Sequence, residues 1–294
     1  MCATCGCGND ATAMISVPRD HDHDHGDGHD HDHDHDHDHG DGHRHDHGDG
    51  HGHHHDHGAD HVHLPVTETI TLEQKILAKN DLLARHNREW LEQRNIVAFN
   101  MTSSPGAGKT TLLERTIREL GDVPIAVIEG DQETLLDAER IKATGCAVVQ
   151  INTGAGCHLD ADMLRRAFDA LAPAPGTLLF IENVGNLVCP ALFDLGERSK
   201  VVVISVTEGT DKPLKYPHMF AAAGLVIVNK TDLLPYVDFD IDKCREYVRS
   251  INPGVEMLPM SVTTGDGMAR WYEWLAKERG AAASASLDHV VERA

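Results

Sequence analysis

The chain has 294 residues, and its formal net charge of −21 is concentrated near the N-terminus. Residues 1–63 carry 15 acidic and 2 basic side chains, whereas residues 64–294 carry 32 acidic and 24 basic ones. This balance argues against a nucleic-acid partner, because the phosphate backbone is itself negative. No apolar run resembles a signal peptide or a membrane span, so we expect a cytoplasmic protein with reduced cysteines and no membrane partner.

Residues 1–19 form a short segment with three closely spaced cysteines, Cys2, Cys5 and Cys7. The CxxCGC spacing lets their sulfurs converge on one ion, with the terminal amine as a candidate fourth donor. A square-planar set of sulfur and nitrogen ligands favours Ni²⁺. The alternative is a flexible redox dithiol, although no thioredoxin-like pattern surrounds these residues.

Residues 20–63 form a low-complexity tract with 19 histidines and 14 aspartates. Almost no apolar side chains are present to offset the entropy of ordering, so we predict that the tract is disordered. Its imidazoles and carboxylates can bind several metal ions at modest affinity. The alternative is a passive solubilising tail.

Residues 64–294 read as one folded domain. A capping box at Thr71 and Gln74 predicts a leading helix over about 71–94. Short apolar runs then alternate with amphipathic stretches, which predicts an α/β fold with a mostly parallel sheet flanked by helices. The predicted strands are 96–101, 124–129, 146–151, 177–182, 200–206, 224–229 and 255–259. Functional motifs in such folds follow the carboxyl ends of the strands.

A phosphate-binding loop follows the first of these strands, in the sequence SSPGAGKT over residues 103–110. Its backbone N–H groups can hold phosphates, Lys109 can reach the β and γ oxygens, and Thr110 can bind Mg²⁺. Ser103 replaces the first glycine of the usual pattern, and the alternative is a chance glycine-rich turn. The predicted nucleotide contacts are Ser104, Pro105, Gly106, Ala107, Gly108, Lys109, Thr110 and Thr111.

A base-recognition motif, Asn229-Lys230-Thr231-Asp232, follows a later strand. The Asp232 carboxylate can accept two hydrogen bonds from guanine N1 and N2, which adenine cannot supply, so the motif predicts selectivity for GTP. Ser261 and Val262 are predicted to add a backbone contact to the guanine.

Two acidic positions are predicted to serve catalysis together with Lys109. Glu182 and Gly185 occupy the place where a typical GTPase carries DxxG, so Glu182 can support magnesium and the Gly185 N–H can sense the γ-phosphate. Asp131 follows another strand and is a candidate for the second switch, although a solvated loop carboxylate is an equal alternative. The predicted magnesium residues are Thr110, Asp131 and Glu182.

A second metal site is predicted at Cys157, His158 and Cys189, because an adjacent Cys-His pair on a loop is not a core pattern. Thiolate and imidazole ligands suit Ni²⁺ and Zn²⁺. Three ligands are few for a closed site, whereas a two-fold dimer interface would gather six. Cys146 and Cys244 are predicted to be small core residues.

The motifs together resemble the HypB family of hydrogenase maturation GTPases: CxxCGC, the His-rich tract, SSPGAGKTT, EGDQET, GAGCHLD, ENVGNLVCP and NKTD. The resemblance implies a P-loop NTPase of the dimerising class that includes signal-recognition and MinD-like proteins, although the extra lysine of the MinD-type loop is absent. It maps the family's GTPase-domain metal site to Cys157, His158 and Cys189, and its N-terminal nickel site to Cys2, Cys5 and Cys7.

The function implied by the resemblance is a GTP-hydrolysing nickel metallochaperone that serves a [NiFe] hydrogenase, with GTP, Mg²⁺, Ni²⁺ and Zn²⁺ as ligands. The implied partners are a second copy of the chain in a GTP-dependent dimer, the zinc-containing chaperone HypA and the hydrogenase large-subunit precursor. Three alternatives are a urease-type nickel accessory GTPase, a nickel storage protein, and a translation or signalling GTPase without a metal role.

Overall fold

The computed structural model describes residues 14–16, 66–131, 136–154 and 156–291, with side chains assigned except over 66–72 and 281–291. The predicted nickel ligands Cys2, Cys5 and Cys7 and the His/Asp-rich tract over 20–63 lie outside these residues. Within the described part of the chain, no helix combines the length and apolar character needed to cross a bilayer.

An eight-stranded sheet organises the domain, in the spatial order β1-β4-β3-β5-β2-β6-β7-β8. All seven predicted strands are present within two residues of their expected bounds, and they run parallel to one another. An unpredicted strand, β1, pairs antiparallel with β4 at one edge. The strands are β1 Met14–Ser16, β2 Val97–Ser103, β3 Ile125–Asp131, β4 Ala147–Asn152, β5 Leu178–Glu182, β6 Ser199–Ser205, β7 Ala223–Asn229 and β8 Glu256–Pro259.

Helices cover both faces of the sheet. The leading helix α1 spans Val66–Glu92, so it begins five residues before the predicted capping box, and Thr71 lies inside it. The other helices are α2 Lys109–Glu119, α3 Leu136–Lys142, α4 Ala161–Leu171, α5 Lys212–Lys215, α6 Pro217–Ala221, α7 Ile241–Ile251 and α8 Met268–Val291. Two 3₁₀ turns, η1 Cys189–Ala191 and η2 Thr231–Tyr236, complete the set.

The core lies on both faces of the sheet. Val127 and its neighbours on one face pack with Trp271 of α8. On the other face Ile128 packs with Phe168 of α4. Burial on both faces explains why the strands read as unbroken apolar runs. Because these seven strands are parallel, their carboxyl ends meet at one edge of the sheet, and the predicted motifs lie at this edge.

Two of the seven cysteines were predicted to fill the core. Cys244 is fully buried in α7, whereas Cys146 is half-buried and immediately precedes β4 rather than lying within it. Burial raises the pKa of each thiol to about 11. Both groups are therefore protonated at neutral pH, which makes them poor nucleophiles and poor metal ligands.

Candidate functional site

The phosphate-binding loop leaves β2 at Ser103 and enters α2 at Lys109. Gly108 adopts a φ of 98°, and a Cβ there would lie 2.5 Å from Asn229 Nδ2, so only glycine fits. The Lys109 ammonium donates to Ser103 Oγ at 2.7 Å. Ser103, which replaces the usual glycine, therefore fixes the position of the Lys109 ammonium at the start of the loop.

The base-recognition motif contacts the phosphate loop directly. Asn229 Nδ2 donates to the Ala107 carbonyl at 2.9 Å, and Asn229 Oδ1 accepts from the Val262 N–H at 3.2 Å. The Lys230 ammonium donates to the Gly106 carbonyl at 2.7 Å. Asn229 thus ties together three loops that follow three different strands.

The orientation of Asp232 is fixed from the opposite side. Its Oδ1 accepts a hydrogen bond from Ser261 Oγ at 2.6 Å, and the Thr264 N–H donates to the same hydroxyl at 3.1 Å. Ser261 therefore acts through its side chain on Asp232, in addition to the backbone contact with guanine that the sequence predicts. A carboxylate held in this way is preorganised to receive the donors of a guanine ring.

Buried acceptor oxygens cluster on the other side of the phosphate loop. Thr110 Oγ1 donates to Glu182 Oε1 at 2.6 Å, and Glu129 faces Glu182 across the β3–β5 ladder. Glu182 Oε2 and Glu129 Oε2 are buried without a protein donor. Hard oxygen ligands of this kind suit Mg²⁺, so Thr110 and Glu182 fit the predicted cation site.

Burial raises the pKa values of the two carboxyl groups in this cluster. Burial, followed by repulsion from Glu182 and Asp131, raises the pKa of Glu129 from 4.5 to about 9. Burial also raises the pKa of Glu182, although the charge of Lys109 opposes this shift. Burial therefore favours the protonated form of both carboxyl groups.

Asp131 and Gly185 border the same cluster. Asp131 ends β3, and its carbonyl accepts from the Thr153 N–H at 2.9 Å, at the start of the loop that carries Cys157. A Cβ on Gly185 would lie 3.3 Å from Pro105 Cγ, so this segment packs closely against the phosphate loop. Gly185 therefore lies beside the phosphate loop, whereas Asp131 lies at the end of β3, which β5 separates from β2.

The three predicted metal ligands of the folded domain come together. Cys157 lies on the loop after β4, and Cys189 begins η1. Their sulfurs are 2.9 Å apart, and Cys157 Sγ lies 3.6 Å from His158 Nδ1. The candidate ligand atoms of Cys157, His158 and Cys189 all lie within 4.8 Å of one another. Two sulfurs and one nitrogen form a donor set that suits Ni²⁺ or Zn²⁺.

The His158 ring is held in a defined orientation. It stacks on the Phe193 ring with centroids 3.9 Å apart and planes inclined by 30°. Burial lowers the pKa of His158, while Asp160 partly opposes the shift. The neutral imidazole, which is the form that binds metals, therefore persists to lower pH than for an exposed histidine.

Sequence reasoning missed several polar residues of this region. Asn186 Nδ2 donates to the Cys157 carbonyl at 3.2 Å, which links the two metal loops. The Lys212 ammonium donates to Ser104 Oγ at 3.0 Å and pairs with Glu208 at 3.0 Å. Asn186 lies within the ENVGNLVCP motif, and Glu208 follows β6. Their positions after strands were the signal that could have identified them.

Comparison with known proteins places the chain in a family. The nucleotide-binding domain family described as CobW/HypB/UreG matches residues 97–259. Over 226 residues the chain is 55% identical to the hydrogenase maturation factor HypB of Azotobacter chroococcum mcd 1, covering 76% of this chain and 74% of that protein.

Two solved structures agree with this assignment. The hydrogenase maturation factor HypB from Archaeoglobus fulgidus aligns with a TM-score of 0.65 and 40% identity, covering 69% of this chain and 99% of that one. HypB from Helicobacter pylori, solved in complex with nickel, aligns with a TM-score of 0.65 and 37% identity, covering 68% and 95%. The chain therefore belongs to the HypB family of hydrogenase maturation factors, with the P-loop nucleotide-binding fold of the CobW/HypB/UreG group.

Proposed function

We propose that this protein is a GTP-hydrolysing nickel metallochaperone that assists nickel insertion into the large-subunit precursor of a [NiFe] hydrogenase. The observation that carries the proposal is the attachment of one metal ligand to a nucleotide-sensing segment. Cys189 lies four residues beyond Gly185, and Asn186 between them bonds to the Cys157 carbonyl. A nucleotide-driven movement of this segment would therefore reach both thiols.

The proposed nucleotide is GTP, supported by the fixed carboxylate of Asp232. Lys109 reaches the β and γ phosphates, the Gly185 N–H meets the γ-phosphate, and the phosphate loop orients the chain of phosphates for attack by water. Thr110, Glu182 and Asp131 would hold Mg²⁺, which neutralises charge on the β and γ phosphates. Breaking the bond to the γ-phosphate removes the group that held residues 182–185 in place.

The proposed cargo is nickel. Cys157, His158 and Cys189 bind it through sulfur and nitrogen, and zinc competes for the same donor set. A GTP-dependent homodimer that brings two such sets together would complete the coordination sphere. Cys2, Cys5 and Cys7 supply a second nickel site, and the His/Asp-rich tract adds weaker ones. A HypA-type chaperone and the hydrogenase precursor are the proposed recipients, as family membership suggests.

A nickel competition titration on the full chain tests the proposal. Cys2, Cys5 and Cys7 are changed to serine, so that thiolate-to-nickel charge-transfer absorption reports the Cys157 site and not the tail. We expect the nickel affinity to differ by about fivefold or more between GDP and a non-hydrolysable GTP analogue. Cys189→Ala should abolish most of this difference while leaving the fold intact.

Cys146→Ala is the matched control, because this thiol is half-buried at the opposite end of β4. It should leave both the nickel affinity and its nucleotide dependence unchanged. If the parent protein bound nickel with the same affinity in both nucleotide states, the result would contradict the proposal and favour a storage role. GTP hydrolysis, measured in parallel, must be detectable for the metallochaperone function to stand.

A further inference from the structure

A closed chain of interactions begins and ends at His158. Asn183 Oδ1 accepts the N–H of Leu159, the residue after His158, at 3.3 Å. Asn183 Nδ2 donates to Asn100 Oδ1 at 3.2 Å. Asn100 Nδ2 in turn donates to Glu197 Oε1 at 3.0 Å. The backbone beside the metal ligand is thereby connected to the centre of the sheet.

Lys200 closes the chain. Its ammonium donates to Glu197 Oε1 at 2.6 Å and to the Phe193 carbonyl at 2.9 Å. The Phe193 ring then stacks on the His158 imidazole, with centroids 3.9 Å apart. We call this set the buried circuit, and its members are Asn183, Asn100, Glu197, Lys200 and Phe193.

The polar members of the buried circuit are almost completely enclosed. Asn183 is 2% exposed, Glu197 is 7% exposed and Lys200 is 8% exposed. Breaking the hydrogen bond from Asn183 to Asn100, or the one from Asn100 to Glu197, would leave a buried amide NH₂ group without its acceptor, which is costly in a low-dielectric interior. We therefore expect the hydrogen bonds of the buried circuit to form and rearrange cooperatively.

The buried circuit also touches the nucleotide site. Asn183 directly follows Glu182, whose carboxylate accepts from Thr110 of the phosphate loop. Asn183 Oδ1 accepts a second hydrogen bond, from the Val184 N–H at 3.0 Å. Gly185, the next residue, packs against Pro105. A rotation of the 184–185 backbone towards a γ-phosphate would therefore change the bonds of the same oxygen that holds the backbone after His158.

We propose that the buried circuit sets the position of His158 according to the nucleotide state, with Asn183 and Phe193 as positioning residues for nickel binding. This inference rests on the proposed function and extends it from the Cys189 thiol to the imidazole. Asn183 acts on the backbone beside His158, while Phe193 acts on the ring itself. Nucleotide binding thus changes the coordination geometry offered to nickel at two of its three ligands.

A purely structural role makes a different prediction. If the buried circuit served only to neutralise Lys200, damage to it would lower stability without changing the ratio of nickel affinities in the two nucleotide states. That ratio is therefore the decisive measurement. Phe193 is the best position to change, because it is only half-buried and its carbonyl, which Lys200 needs, survives any substitution.

The experiment compares Phe193→Leu with Phe193→Tyr in the full chain, with Cys2, Cys5 and Cys7 changed to serine. Nickel affinity is measured by thiolate-to-nickel absorption with GDP and with a non-hydrolysable GTP analogue, alongside nucleotide affinity without nickel and the thermal midpoint. Asn252→Ala serves as the control for lost stability, since its side chain donates to the carbonyls of Phe220, Ala221 and Ala223 and to no member of the buried circuit.

We expect Phe193→Tyr, which retains an aromatic ring, to keep the parent ratio of nickel affinities. In the parent protein we expect the two nickel affinities to differ about fivefold or more, as for an allosteric pair. In Phe193→Leu they should differ by no more than about twofold, while the nucleotide affinity measured without nickel stays unchanged. A parent ratio above fivefold that survives in Phe193→Leu would overturn this inference alone. A parent ratio of one would overturn both the inference and the proposed metal switch.

Discussion

The two sides of the phosphate loop differ in how their buried polar groups are satisfied. On the guanine side, Asn229 and Asp232 already have protein partners that fix their orientation. On the cation side, Glu129 and Glu182 each bury an oxygen without a protein donor. The first side is therefore preorganised for recognition, while the second keeps acceptor oxygens that a cation could bind. In the proposed function this cation would bind beside the segment that leads to Cys189.

Removing the lysine of the cation side should have the largest effect. Lys109→Ala deletes the ammonium that reaches the β and γ phosphates, so we expect GTP turnover to fall about 100-fold or more. The metal ligands should retain nickel in the GDP state, because Lys109 contacts none of them. A steady-state phosphate-release assay measures the loss, and Lys243→Ala, at an exposed position of α7, is the control. If GTP turnover fell by less than about tenfold, the cation side would not be the part of the site that determines turnover.

Changing the preorganised guanine side should alter selectivity rather than chemistry. Asp232→Asn replaces an acceptor with an amide that can donate to the 2-carbonyl of xanthine, while its oxygen still accepts from Ser261. We expect GTP affinity to fall about 100-fold and XTP affinity to rise above it, because a mismatched buried donor or acceptor is left unpaired. Competition binding with the two nucleotides measures the exchange. Equal losses for both would show that Asp232 only supports the loop.

Neutralising the cation side should produce the smallest effect, and one that depends on pH. Because the pKa of Glu129 is about 9 in the folded protein and ordinarily 4.5, the folded state binds more protons between these values. Stability must therefore fall as the pH rises from about 4.5 to 9. Glutamine cannot ionise, so Glu129→Gln should not lose this stability. The free energy of unfolding of Glu129→Gln should therefore equal that of the parent protein at low pH and exceed it by about 1–3 kcal/mol at pH 8.5.

Urea unfolding of the nucleotide-free protein at several pH values measures this advantage. Glu246→Gln, at an exposed position of α7, is the matched control and should change the free energy of unfolding little. Parallel pH profiles for the parent protein and Glu129→Gln would mean that solvent already satisfies the cation side. The contrast with the guanine side would then disappear.

Much of this architecture could be predicted from the sequence, because a sheet buried on both faces leaves unbroken apolar runs such as Val201, Val202 and Val203. The motif loops follow such runs, so their meeting at one edge was also predictable. The strand Met14–Ser16 was not, since three residues show no periodicity. The predicted helix start at Thr71 was wrong, because α1 already begins at Val66 and Thr71 lies inside it.

The buried circuit was beyond sequence reasoning for a physical reason. Asn100 and Asn183 are 83 residues apart and meet only because β2 and β5 are neighbours in the sheet. Lys200 lies at the start of β6, where the sequence alone suggests a lysine in contact with solvent. In the structure it forms an ion pair with Glu197 in the interior. Strand order decides such contacts, and no local pattern records it.

The edge strand β1 protects one side of the sheet. Its three residues pair antiparallel with β4, whose backbone would otherwise present unpaired N–H and C=O groups at the edge. Met14 pairs with Asn152 at the carboxyl end of β4, five residues before Cys157. The strand that leads into the metal loop is therefore an interior strand, and its backbone is not open to pairing with a second chain.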